Sequence, residues 1–184
     1  MTGPALGLVE VSSIARGVVV ADAMAKKAPI QILQSHATSP GKHIVVVAGG
    51  VAEVDEAMAA GVLAAGATLI DRLFLPQAHE QLGPLLAGQR RQDQVIDSVA
   101  ILETHTISAT VLAADAAAKA ADVILLEMRL GQGIGGKGYF TLTGSLDSVE
   151  AAVQAARDAV EPALVVGIEV IPAPHEDLRV RLVW

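Results

Sequence analysis

An α/β (α+β) fold, made of two tandem copies of one small domain with helices packed on a mostly antiparallel sheet, is what this sequence predicts. Three observations carry the expectation. The chain repeats itself at a nearly constant spacing, each repeat runs through strand-like and helix-like segments in the same order, and the apolar content is high and almost wholly aliphatic.

The repeat comes first. Ala5-Leu6-Gly7-Leu8-Val9-Glu10 is echoed by Ser98-Val99-Ala100-Ile101-Leu102-Glu103, so Glu10 and Glu103 stand 93 positions apart. Asp22-Ala-Met-Ala-Lys26 falls on Asp115-Ala-Ala-Ala-Lys119 at the same spacing. Gly41-Lys42 meets Gly136-Lys137, and Val54 meets Val149, at 95. Pro76-Gln-Ala-His79-Glu80 meets Pro172-Ala-Pro-His175-Glu176 at 96. Small insertions in the second half account for the drift. The polar stretch from Gly88 to Gln94 reads as a linker, which sets a first domain at 1–92 and a second at 93–184.

Within the first copy, Leu6–Val11 reads as a short strand and Ser13–Ala28 as a helix, with Asp22 and Lys26 four residues apart in the favourable order. Ile30–Gln34 and His43–Ala48 are β-rich runs separated by a turn at Ser39-Pro40-Gly41. Val51–Ala65 reads as a second helix, with Glu53, Asp55 and Glu56 near its positive N-terminal end. Thr68–Leu75 supplies a fourth strand, and a short helix beginning near His79 closes the unit. The second half repeats the order from Val99 to about Leu182. The order β-α-β-β-α-β-α is that of a ferredoxin-like sandwich.

Composition bounds the function. The 184 residues are 52% hydrophobic, enough for one large core or two of about 90 residues each. Aromatic residues are 2%, namely Phe74, Tyr139, Phe140 and Trp184, so the cores must be built from small aliphatic side chains. A net charge of −7, with no ladder of aromatics on which bases could stack, argues against nucleic acid as a partner. Without cysteine the chain offers no disulfide, no thiol nucleophile and no cysteine-held metal, which fits a cytoplasmic setting. Met1–Glu10 lacks the pattern of a signal peptide. The longest uncharged run, Ala57–Ile70, falls short of the roughly 18 apolar residues of a membrane span, so a soluble protein with no membrane partner is expected.

Taken together, Leu6-Gly7-Leu8-Val9-Glu10, Ala21-Asp22-Ala-Met-x-Lys26, the Ser39-Pro40-Gly41-Lys42 loop and the Pro-x-x-His-Glu near the end of each half resemble bacterial microcompartment shell domains. The resemblance covers essentially the whole chain, and two unpermuted copies resemble the tandem class, in which three chains form a pseudohexamer that tiles into a facet. It implies that the loop at Ser39, Pro40, Gly41 and Lys42 and its counterpart at Gly133, Ile134, Gly135, Gly136 and Lys137 meet at the ring axis and line a pore. It also implies that Lys26 and Lys119, with His79 and His175, lie toward the tile edge. The partners implied are other copies of the chain as a homotrimer, with trimers free to stack, other shell proteins, and the enclosed enzymes. The implied location is the microcompartment shell.

The sequence departs from that family in two places. Some tandem members carry a cysteine three residues before the loop lysine and hold an iron–sulfur cluster there. Ser39 occupies the position here, and a hydroxyl is a poor ligand for such a cluster, so no cofactor is expected. An arginine is common just before the closing Pro-His, where this chain has Gln77 and Ala173.

Other motifs compete. Gly131-Gln132-Gly133-Ile134-Gly135-Gly136-Lys137-Gly138 nearly matches a phosphate-binding loop. However, Gly138 stands where a Ser or Thr would hold magnesium, and Tyr139–Leu142 reads as a strand where the motif needs a helix N-terminus. The glycines serve a tight turn instead. Backbone N–H groups and the field of Lys42 and Lys137 would then give the pore a mild preference for anions. His36 and His43 flank the first loop and could meet at a metal in an oligomer, but they read as ordinary strand and loop residues, and no metal site is assigned. His79 and His175 lack the H-E-x-x-H spacing, since Gly83 and Arg179 stand where the second histidine would be, and a capping or packing part ahead of the final helix suits them. His105 has no counterpart histidine. No catalytic arrangement recurs in both halves, so the expectation is a structural shell subunit with a pore for small polar metabolites and no enzymatic activity. The rival is a ring-forming small-molecule sensor or regulatory binding protein.

Overall fold

The computed structural model describes residues 4–91 and 96–179. The chain divides into two compact units. The first runs to Ala87 and also takes in Gln132–Gly136, while the second comprises Gly88–Gly131 and the chain from Lys137 onward. The centre of the expected linker and the expected end of the last element fall in 92–95 and 180–184, outside the described residues.

The first unit runs β1 (Ala5–Val11), α1 (Ile14–Lys27), β2 (Gln31–Thr38), β3 (Lys42–Gly49), α2 (Val51–Ala65), a 3-10 turn at Gly66–Thr68, β4 (Leu69–Leu75) and α3 (Leu82–Leu86). The second repeats this as β5 (Ser98–Thr104), α4 (Ile107–Ala120), β6 (Ile124–Leu130), β7 (Gly138–Gly144), α5 (Leu146–Ala159), a 3-10 turn at Pro162–Leu164, β8 (Val165–Ile171) and α6 (Glu176–Arg179). Among the described residues each unit holds a four-stranded sheet, ordered β2-β3-β1-β4 in the first and β6-β7-β5-β8 in the second. Every pairing is antiparallel: Val9 lies between Val45 and Arg72, and Leu102 between Phe140 and Ile168. The duplication reaches the irregularities, because register shifts occur at Ile32/Gln34 and Leu125/Glu127, and again at Glu10/Val11 and Glu103/Thr104.

The helices start where side-chain oxygens can accept otherwise unpaired N–H groups. Ser13 accepts from Arg16, Thr106 from Ala109 and Ser145 from Ser148. Helix α2 instead follows Gly50 and places Glu53 in its first turn. Buried positions recur at helical spacing: Gly17, Val20, Ala21 and Met24 on α1, Val54, Ala57, Met58, Gly61 and Ala65 on α2, and Val149, Ala152, Val153 and Ala156 on α5. The α1 and α2 faces pack on β-strand valines such as Val9, Val11, Val45 and Val47, which gives the first unit its aliphatic core.

Two boundaries depart from the sequence reading. Strand β2 runs on to Thr38, since pairing with β3 continues through His36↔Ile44 to Thr38↔Lys42, and the loop shrinks to Ser39–Gly41. Polar residues at Ser35 and His36 hid this extension, and the backbone ladder decides it. The short closing helix begins at Leu82 rather than near His79, with Leu82, Leu85 and Leu86 buried. The second unit's edge strand β6 is tied to the start of the linker, because Arg91 N–H donates to the Leu126 carbonyl (3.0 Å) and Arg90 reaches Glu127 (3.6 Å).

Where one copy needs room the other fills it. A Cβ on Gly17 would collide with the ring of His43, and a Cβ on Gly138 would collide with the hydroxyl of Thr110. Gly17 corresponds to Thr110 and His43 to Gly138, so the same helix-to-sheet gap is filled from the strand in one copy and from the helix in the other. Close packing demands such compensation.

Candidate functional site

In the first unit, β2 and β3 are joined by Ser39–Gly41, with a cis Ser39–Pro40 bond and Gly41 at φ +83°. The segment Gln132–Gly136, although it belongs to the second repeat in sequence, is part of the same compact unit. Gly133, Gly135 and Gly136 all have positive φ, and a Cβ on Gly136 would come within 2.6 Å of the Ser39 carbonyl oxygen. Only glycine permits both that backbone and that approach. The Gln132 amide nitrogen lies 3.1 Å from Nδ1 of His36, whose Nε2 is 3.0 Å from Gln34 Oε1. A proton on Nε2 lets His36 donate to Gln34 and accept from Gln132, whereas a proton on Nδ1 lets it donate to the Ala37 carbonyl, 3.1 Å away. The structure thus brings together, in one unit, Ser39, Pro40 and Gly41 with Gly133, Ile134, Gly135 and Gly136.

Ser39, Pro40, Gly41, Gln132 and Gly133, with Ile14, Ala37 and Thr38, surround a shallow hollow of about 400 Å³. The Thr38 hydroxyl is buried without a hydrogen-bond partner among the described residues. The glycine-rich segment leads into strand β7, and its base is closed by Gly131 N–H donating to the Lys137 carbonyl (2.9 Å). It therefore lacks the helix N-terminus of a phosphate-binding loop.

The lysines beside the loops stand in mixed company. Lys42 Nζ lies 2.8 Å from Glu10 Oε1 in the first unit, and Lys137 Nζ lies 2.9 Å from Glu103 Oε1 in the second. The lysines expected to lend the loops a positive field thus each have a carboxylate beside them. Each ammonium sits against a carboxylate, and the field of a close pair falls off far faster than that of a single charge. The sequence marked Glu10 and Glu103 as part of the repeat but not as partners of these lysines. Gln132, Thr38 and Ile14 carried no sequence signal as lining residues.

His43 is buried, with Nε2 3.0 Å from the Ser35 hydroxyl. Burial, reinforced by the neighbouring His36, holds its pKa below the usual imidazole value. Lys26 pairs with Asp22 (2.7 Å) and Lys119 with Asp115 (2.5 Å), each within its own helix. Nδ1 of His79 accepts the Gln81 N–H (3.4 Å) and Nδ1 of His175 the Asp177 N–H (3.2 Å), the same turn at the entry to α3 and α6. In the second unit Glu127, buried on β6, lies 3.1 Å from Arg129. Burial first and the charge of Glu127 second raise the pKa of Tyr139, against the opposing pull of Arg129 and Arg90. Among the described residues no group of three or more His, Asp or Glu is placed to hold a metal ion, and no helix is long and apolar enough to cross a membrane.

Comparison with known proteins places this geometry. The BMC domain matches residues 5–78 and again 98–174. The bacterial microcompartment shell protein PduT of Citrobacter freundii is 38% identical over 97% of both chains. The carboxysome assembly protein CcmO of Synechococcus elongatus is 30% identical over 95% of this chain and 67% of its own. Among solved structures, a microcompartments protein from Desulfitobacterium hafniense superposes with a TM-score of 0.89 at 41% identity, covering 95% of this chain and 97% of its own. A fused permuted hexameric shell protein of the RMM microcompartment, at 24% identity and a TM-score of 0.64 over 84% of this chain and 82% of its own, shares the fold. Two BMC domains in tandem, matched along nearly the whole length, make this chain a member of the bacterial microcompartment shell protein family.

Proposed function

We propose that three copies of this chain form a six-lobed ring that tiles into a microcompartment facet, with Ser39, Pro40 and Gly41 and the glycines at 133, 135 and 136 around a central pore. The role is structural, with no catalytic step assigned to any residue. Lys42 and Lys137 flank the opening. Lys26, Lys119, His79 and His175 lie toward the edges, where neighbouring tiles and other shell proteins meet, and the enclosed enzymes face one side.

The observation that carries this reading is a difference between equivalent positions. On α1, Ile14 is 46% exposed and Val18 is 58% exposed. Their counterparts on α4, Ile107 and Val111, are 0% and 2% exposed. The difference runs along one whole helix face, since Ala15, Asp22 and Ala25 are exposed where Ser108, Asp115 and Ala118 are buried. The opposite difference appears on the sheet, where Glu10 and Ile44 are buried while Glu103 and Tyr139 are partly open. Two unlike surfaces are thus open, each corresponding to a surface that is covered in the other copy. A second chain fits the vacancy, and a head-to-tail contact of that kind closes into a ring when its rotation permits.

Native mass spectrometry followed by negative-stain microscopy tests the proposal. A mass of three times 18.9 kDa, or six times for stacked trimers, with sheets or tubes on the grid is the expected result. A monomer that forms no assemblies, or a closed oligomer stabilised by a small ligand, would overturn it and favour a sensor.

A further inference from the structure

We infer that a hollow between α2 and β4 of the first unit is a binding site for a small zwitterion, an α-amino acid with an apolar side chain of medium size. The hollow measures about 360 Å³ and is lined by Asp55, Met58 and Ala59 of α2 with Arg72 and Phe74 of β4. An apolar lining with a few polar groups, at this size, suits a small ligand. Met58 and Phe74 supply the apolar surface, and Gly7 leaves room for the thioether, since a Cβ there would stand 2.7 Å from the Met58 sulfur. Asp55 and Arg72 supply one charge of each sign. They do not pair with each other, and among the described residues neither side chain has another ion-pair partner. Their neighbours are occupied: Glu56 pairs with Lys27 (2.9 Å), and Asp71 accepts the Arg72 N–H (2.7 Å).

The site belongs to one copy only. Shared strand partners and the repeat spacing put Glu150, Val153, Gln154, Ile168 and Val170 at the equivalent positions. The second copy therefore lacks both the guanidinium and the ring, and its Gln154 bonds to Asp158 (2.8 Å). The hollow also stands apart from the face given to chain-to-chain contact. Asp55 and Glu150 are exposed alike, as are Ala59 and Gln154, and Met58 and Val153 are both buried, so the contrast that separates α1 from α4 is absent here.

Charge selects the ligand class. A simple ion in this hollow meets one attractive and one repulsive side chain, and the two contributions largely cancel. A zwitterion turned with its carboxylate to Arg72 and its ammonium to Asp55 gains both attractions, the first in the two-pronged geometry that a guanidinium offers. Its side chain then covers Met58, whose flexible thioether adapts to the shape it meets.

Saturation-transfer NMR on the purified chain at neutral pH tests this, with L-leucine as the zwitterion, 3-methylbutylamine as its cationic half and 4-methylpentanoate as its anionic half. Leucine is expected to bind with a Kd on the order of 1 mM, and each half about fivefold or more weaker. Arg72→Ile, which installs the second copy's residue, should weaken leucine about fivefold without weakening the amine. Asp55→Asn should weaken leucine by a similar factor without weakening the carboxylate. Both positions are exposed, so neither change touches the core. No transfer to leucine, a half-ligand that binds as tightly as leucine, or a leucine affinity unmoved by either variant would overturn the site. The readout is independent of ring formation, so a failed site leaves the shell reading standing.

Discussion

Lys42 reaches 2.8 Å from a Glu10 carboxylate that has no exposed surface, while the same pair in the second copy, Lys137 and Glu103, keeps its carboxylate 38% exposed. The second oxygen of Glu10 has no partner among the described residues, so the lysine carries its neutralisation. Lys42→Met is expected to strand that buried charge and destabilise the chain by about 3–5 kcal/mol. Lys137→Met, at a pair open to water, should cost about 1 kcal/mol or less. Urea denaturation of the two variants side by side checks this, and equal losses would contradict it.

The exchange of Gly17 and His43 for Thr110 and Gly138 is expected to be transferable. Gly17→Thr alone drives a side chain into the imidazole, and should destabilise by about 1–3 kcal/mol. Joined with His43→Gly it recreates the packing of the second copy. A double-mutant cycle should show favourable coupling of at least about 1 kcal/mol, and additive losses would show that the gap is not shared.

Stability should decline in mild acid because of His43. Its folded pKa lies below the ordinary 6.5, so above that value both folded and unfolded states leave the ring neutral. As pH falls through 6.5 the unfolded chain takes up a proton that the folded chain refuses, and stability is lost until the lowered folded pKa is reached. The Gly17→Thr/His43→Gly double variant should lose this part of the pH dependence, as read from urea midpoints between neutral and acid pH.

Equivalent helix positions should respond differently to charge. Val18→Asp changes an exposed side chain, and is expected to leave the fold intact while abolishing the trimer. Val111→Asp buries an unpaired carboxylate in the core, and should unfold the chain or destabilise it by several kcal/mol. Circular dichroism with native mass spectrometry separates the outcomes; a Val18→Asp protein that still forms trimers would remove α1 from the chain-to-chain contact.

Local pattern was enough for the duplication and the element order. The apolar spacing of Val54, Ala57, Met58 and Gly61 marks a helix without outside help, and Ser13 announces the start of another. Strand β2 was read too short because Ser35 and His36 carry no β signature, and their place depends on the β3 ladder beside them. The loops at Ser39–Gly41 and Gly133–Gly136 were recognisable by their glycines, but not the buried threonine beside them.

What the sequence by itself determined is therefore everything set by neighbours a few residues apart: two copies, their strands and helices, the glycine turns, and a family resemblance along the whole chain. The tertiary structure decided what depends on distant partners. It matched Lys42 to Glu10 and Lys137 to Glu103. It set His43 against Gly17, and it left Val18 open where Val111 is closed. Side-chain charge and size are written in the chain, but whether a charge is cancelled or a methyl covered depends on what packing brings within a few ångströms, and periodicity does not encode that.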